Sequence, residues 1–226
     1  MGANATYMPQ RWLRWRLWLS IAFVGIWLAS AISPLHFADW LLENVLTVVF
    51  AIVFVATWRR FCFSPATHVM IFVFMSLHAL GSHYTYAEVP YDQWWQSLTG
   101  WSLNEALGFE RNHYDRLVHF CYGLLLAYPM REMLVRWVGL RGFWSYFIPL
   151  DLTMSTSMIY ELIEWGAAEV FGGELGQAYL GTQGDVWDAH KDMALASLGA
   201  LITTLIARAL RDHILEVWAE ARPGAD

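Results

Sequence analysis

The chain predicts an all-α fold, a polytopic transmembrane helical bundle of about six spans with both termini cytoplasmic, and three observations carry that prediction. Charged residues are 15% and hydrophobic residues 57% of 226, at a mean hydropathy of +0.35, whereas soluble domains carry roughly 25% charged residues. Fourteen Trp, thirteen Phe and ten Tyr suit the headgroup layers, where amphipathic rings sit half in hydrocarbon and half in water. Six apolar stretches approach the ~20 residues that a helix needs to cross a ~30 Å hydrocarbon core. An ordinary soluble fold is excluded, and a chain of formal net charge -6 is expected to have no nucleic-acid partner.

The first span, 13–33, follows Arg11, Arg14 and Arg16. Its Ala29-Ser30-Ala31 looks like a signal-peptidase site. An apolar stretch of roughly twenty residues nevertheless exceeds the usual 7–15-residue signal core, so an uncleaved span is expected. The second span, 39–58, and the third, 65–83, flank Arg59 and Arg60. Gly81 and Pro90 then break the helix and expose His83, Tyr84, Tyr86 and Glu88 in an outer loop, 84–114. Within it, YDQWWQSLTGWSLNEALGF reads as one or two short interfacial helices over the bundle mouth. The fourth and fifth spans, 115–136 and 143–167, are joined by a turn among Arg131, Arg136 and Arg141, and Arg208, Arg211 and Arg222 cluster around the end of the sixth, 187–210. Eleven of fourteen basic residues thus fall on one side, leaving Arg111, Arg116 and the sole lysine, Lys191, outside. Lys and Arg near span ends stay cytoplasmic, which sets the orientation. Cys62 and Cys121 fall at different depths and do not predict a disulfide. With no internal repeat, 1–226 reads as a single integral membrane domain.

With that topology the ionisable residues become lopsided, most acids and His78, His83, His113, His119 and His190 falling outward. In DRLVHF, Asp115 and His119 are four apart, and in YELIEW, Glu161 and Glu164 are three apart, so each pair shares a helix face. Asp185, Asp188 and Asp192 follow an i, i+3, i+7 pattern. Charges at membrane depth cost a few kcal/mol and mark ion sites or proton relays. Plain alternatives exist for each. Asp115, Arg116 and Asp185 suit a helix start, and Glu161 and Asp192 suit ion pairs with Arg116 or Lys191. Ala196, Gly199, Ala200, Thr203 and Thr204 read as a close helix-packing surface, and Asp151, in mid-span, has no assigned place.

The motifs HALGSHYTYAEVP, NHYDRLVHF, YELIEW and LGTQGDVWDAHKDM resemble the YjdF-like family of bacterial inner-membrane proteins. More distantly, DRLVHF resembles the Asp-Lys-x-x-His-Phe helix of VanZ-like proteins, with Arg116 in place of lysine and Glu164 in place of a later glutamine. Ala196 stands where that family has asparagine. The resemblance implies a small helical membrane protein of the bacterial inner membrane, with a link to the envelope, and supplies no reaction.

The residues themselves point first to a membrane enzyme. His83, His113, His119, Glu161, Asp188 and Asp192 are the expected ligands of a divalent metal, with Glu164 or His78 as general base. Mixed imidazole and carboxylate donors suit zinc, iron or manganese, and a lipid or envelope substrate would reach the site from the periplasmic side. A cation- or proton-coupled transporter is the second reading. The third is a structural or partner-binding membrane subunit, with the polar cluster fixing helix packing.

Overall fold

The computed structural model describes residues 10–57, 63–173, 176 and 180–210. Among them are six long helices and two short ones, with no strand. The long helices are α1 (Gln10–Ser30), α2 (Phe37–Thr57), α3 (Pro65–His83), α6 (Tyr114–Met133), α7 (Trp144–Phe171) and α8 (Asp188–Ala209). Between α3 and α6 lie α4 (Tyr91–Thr99) and α5 (Leu103–Leu107). Each expected span meets one long helix with ends shifted by up to four residues. Arg59, Arg60, Cys62, Glu174, Arg211 and Arg222 lie outside the described residues, as does the side chain of Arg11.

Burial is inverted relative to a soluble protein. The interior holds Asp39, Glu43, Asn44, Glu132, Asp188 and Asp192, while Val45, Val49, Ile52, Val55 and Leu162 face outward. That is the pattern expected when hydrocarbon is the solvent and polar groups must find partners inside. Three helices, α2, α3 and α8, are long and apolar enough to cross a membrane by length and composition, where the sequence predicts six spans. The other long helices fall short because they carry charge, and in α6 and α7 Asp115, Glu132, Glu161 and Glu164 are turned into the bundle. Asp151 does not join them. It is exposed on α7, which removes it from any interior proton path.

The tightest crossing joins α6 to α8. A Cβ at Gly123 would overlap the Ala196 carbonyl oxygen, and one at Gly199 would overlap the backbone of Phe120 and Leu124. Ala196 and Ala200 are fully buried there and Thr203 Oγ1 donates to the Leu124 carbonyl at 2.5 Å, so the predicted small-residue surface is the α6 contact. Helix α3 packs on α1 and α6, α7 packs on α6 and α8, and α2 touches the bundle chiefly through α3.

At one end, Ser64 caps α3, its Oγ accepting from the Thr67 amide at 3.3 Å, with Pro65 in the first turn. Glu132, fully buried, accepts from Ser64 N at 2.7 Å, Ser64 Oγ at 2.8 Å and Thr67 Oγ1 at 2.5 Å, and from Arg136 at 2.5 Å. A carboxylate at a helix N-terminus satisfies the free amides and the positive end of the dipole together. Helix α6 then runs into a π-helical turn, Leu134–Val138, closed by Gly139 at φ 80°.

At the other end, α4 stops at Gly100 (φ 82°), and Ser102 caps α5. Asp92 ties the two helices, accepting from Ser102 Oγ and Asn104 N at 2.9 Å. Trp94, Trp95, Leu98 and Trp101 are exposed.

Candidate functional site

The far end of the bundle is closed by an arginine latch. Arg111, in the loop before α6, grips Asp188 with both terminal nitrogens, at 2.6 and 3.2 Å, and donates to the carbonyls of Gly181 and Thr182. Arg116, on the first turn of α6, reaches Asp185 at 2.5 Å and Asp188 at 3.2 Å. Lys191 also pairs with Asp185. The Lys191 hydrogen bond, the Trp187 amide and Arg116 together hold the Asp185 carboxyl well below the ordinary carboxylate range. Three cations therefore serve two aspartates.

One turn deeper the balance reverses. Asp115 and His119 of α6 and Asp192 of α8 each present a ligand atom within 4.8 Å of the other two. His119 Nε2 lies 3.6 Å from Asp115 Oδ1 and 3.6 Å from Glu161 Oε1 of α7. Glu164 is buried beside them, within electrostatic reach of Asp115, Glu161 and Glu43. Glu43 comes from α2 and accepts from Tyr160 OH at 3.2 Å. Among the described residues, none of Asp115, Glu161, Glu164 and Asp192 makes an ion pair with Lys or Arg. Glu161 Oε1 and Asp192 Oδ1 are buried without a hydrogen-bond partner.

That surplus of negative groups decides the chemistry the arrangement can support. Several carboxylates crowded in a low-dielectric interior repel one another and are desolvated at a cost of several kcal/mol each, so they require protons or a cation. The donor set fits a divalent metal. Ligands of one ion stand about 3–3.5 Å apart at Zn–N and Zn–O lengths near 2 Å, so side-chain shifts of about 1 Å would close the observed spacing.

The structure distributes the predicted ligands unevenly. His119, Glu161 and Asp192 are brought together, and Asp115 joins them. Asp188 is not free to ligate, because both arginines hold it. His83 is not in the cluster; its Nδ1 bonds to the Ser30 carbonyl at 3.0 Å, joining the ends of α3 and α1. His113 stacks on Phe109 at 3.9 Å between ring centroids, and partial burial with Arg116 and Arg111 nearby holds its imidazole below the ordinary histidine value. Neither expected cation partner makes an ion pair with Glu161 or Asp192: Lys191 pairs with Asp185, and Arg116 pairs with Asp185 and Asp188 and acts on Asp192 only from a distance. Of the general-base candidates, Glu164 borders the cluster. His78 lies across a cavity, its Nδ1 hydrogen-bonded to Tyr86 OH and its Nε2 buried without a partner.

Sequence reasoning missed Glu43 and Tyr160. The signal was present: Asp39, Glu43 and Thr47 stand four apart in an otherwise apolar helix, and all three are buried. Asp115 shares a face with His119 by spacing, and a helix start is its plain alternative; it is not among the expected ligands.

A cavity of about 320 Å³ adjoins the cluster between α2, α3, α6 and α7. Asp115, His119 and His78 line its polar end, and aliphatic and aromatic side chains such as Phe50, Ile71 and Leu126 line the rest.

Residues 15–213 match the family model described as predicted membrane protein DUF2238. The chain is 38% identical over 177 residues to the inner membrane protein YjdF of Escherichia coli (strain K12), covering 78% of this chain and 80% of that protein. Neither match is to a VanZ-like protein. No solved structure matches. The chain belongs to the DUF2238 family of integral membrane proteins.

Proposed function

We propose that this DUF2238 protein is a metal-dependent enzyme of the bacterial inner membrane, acting on a lipid or envelope substrate from the periplasmic side. The observation that carries the reading is the group of Asp115, His119 and Asp192, with Glu161 beside it, in which Glu161 Oε1 and Asp192 Oδ1 are buried without a hydrogen-bond partner and no Lys or Arg ion pair is made among the described residues. Asp115, His119, Asp192 and Glu161 would hold the ion, whether zinc, iron or manganese. A divalent ion there would supply Lewis acidity toward an ester or phosphoryl oxygen. Glu164, beside the cluster, would be the group that takes a proton, and Tyr160 donates to the Glu43 carboxyl on the opposite wall. In this reading six helices span the membrane, both termini are cytoplasmic, and α4 and α5 lie on the outer surface with their Trp side chains at the headgroups.

The test is elemental analysis of detergent-purified protein prepared without added metal, wild type beside Glu161→Ala. Near-stoichiometric metal in the wild type, lost in a variant that keeps its helical content, supports the enzyme. Absence of metal from both overturns it. The second reading, proton- or cation-coupled transport, draws on the run of carboxylates from Glu43 through Glu164 and Asp115 to Asp192, all within electrostatic reach of their neighbours. It expects ion-dependent uptake into liposomes.

A further inference from the structure

We infer that the cavity beside the cluster takes the single hydrocarbon chain of an amphiphile, which enters sideways from the bilayer between α2 and α7. The inference rests on the reading of the cluster as a lipid-processing site. Three observations carry it.

The first is the wall. Leu46 and Phe50 of α2 and Ile159 and Ile163 of α7 line the cavity, yet all four are exposed on the outside of the bundle. Such exposure in a lining residue fits an open rim rather than a closed wall. Helix α2 packs chiefly on α3 and makes no extensive contact with α7, and the Tyr160 hydrogen bond to Glu43 bridges the two helices near the polar end.

The second is size. At about 320 Å³ the cavity is near the lower end of the 300–1,000 Å³ range of small-molecule sites. A 150 Å³ apolar cavity holds one benzene, so this one holds roughly a dozen carbons, enough for one chain and too little for two.

The third is polarity. Three buried atoms on the lining have no hydrogen-bond partner: Thr47 Oγ1, His78 Nε2 and Ser157 Oγ. They come from three different helices. These atoms are enclosed in the wall; the polarity offered to a ligand lies at Asp115 and His119, at one end of a largely aliphatic and aromatic lining, which suits a polar head on a hydrocarbon chain.

The chain could be fatty acyl or isoprenyl, two sources of the same chemistry. The full-length protein in phospholipid nanodiscs is photolabelled with a diazirine-bearing lysophospholipid and, separately, with a diazirine-bearing isoprenyl phosphate. Labelled positions are then mapped by mass spectrometry. Label concentrated on Met75, Leu126 and Ile159 is expected from one of the two probes, and which one identifies the source. Leu46→Trp and Ile163→Trp, both at exposed mouth positions, should cut that label about tenfold, a change equivalent to about 1.4 kcal/mol. Leu162→Trp, exposed on the same helix away from the cavity, should leave it unchanged. Label spread equally over outward-facing Val45, Val49 and Leu162, or label indifferent to both mouth variants, overturns the inference. The labelling is repeated with chelator present. Cavity labelling that survives while no metal is found in the protein would retain the chain site and reject the metal reading; bound metal without cavity labelling would do the reverse.

Discussion

Helix α6 turns an acid into the bundle near each end, Glu132 fully buried and Asp115 partly so, and the two are built in opposite ways. Glu132 is enclosed by donors: the Ser64 amide and hydroxyl, the Thr67 hydroxyl and the Arg136 guanidinium. Asp115, at the other end, faces His119, Asp192 and Glu161, groups that mostly carry its own charge sign. A buried charge supplied with all its partners by the chain is structural; removing one partner strands the others. A carboxylate group that makes no ion pair with Lys or Arg among the described residues is open to bind something else. The arginine latch above the cluster makes the contrast sharper, because cations are available within a turn and are committed to Asp185 and Asp188.

The largest effect expected from this contrast is at Glu132. Glu132→Ala should destabilise the protein by about 3–5 kcal/mol, the cost of breaking a buried pair, read as a fall in Tm in detergent, and added metal should not restore it. If Glu132→Ala were tolerated while Asp192→Asn unfolded the protein, the assignment of roles would be reversed.

A smaller and conditional effect is expected at the cluster. In chelator, Asp192→Asn should be no less stable than wild type, because it removes one like charge from a crowded site. With metal at a hundred times its Kd the wild type should gain about 2.7 kcal/mol, and Asp192→Asn should lose most of that gain. Equal Tm values with and without metal in the wild type would remove the functional half of the comparison.

Much of this architecture was legible in the sequence for a physical reason. Apolar runs near twenty residues have few alternatives to helix in a membrane, and Asp115–His119 and Glu161–Glu164 reveal their shared faces by spacing alone. Partner choice was not legible. Whether Arg116 neutralises Asp192 or Asp185 depends on how α6 and α8 cross, and that crossing is set by Gly123 and Gly199 backbones in contact. His83 and His113 have the right side and the right chemistry, yet a carbonyl on α1 and the ring of Phe109 hold them elsewhere. Glu43 was hidden because α2 is the most apolar helix, and one polar stripe barely alters its mean hydropathy.

The smallest expected effect concerns the latch, and it tests whether Asp185 belongs with Glu132 as an acid partnered by the fold. Its carboxyl is held below the ordinary value by Lys191, the Trp187 amide and Arg116, so the native state favours its ionised form. A depressed carboxyl contributes stability above the unfolded-state value, about 3.9 for Asp, and that contribution is lost as pH falls through the lower folded-state value. Lys191 is half exposed, which screens its pairing and keeps the effect modest and salt-dependent. The Tm of wild type should therefore exceed that of Lys191→Gln slightly and evenly between pH 5 and 7 at low salt, and the two curves should converge as the pH drops below about 3.9. A wild type less stable than Lys191→Gln between pH 5 and 7 would mean that Lys191 is repelled by Arg111 and Arg116 more than it is held by Asp185, and the latch would then be a strained lid rather than a fold-supplied partner.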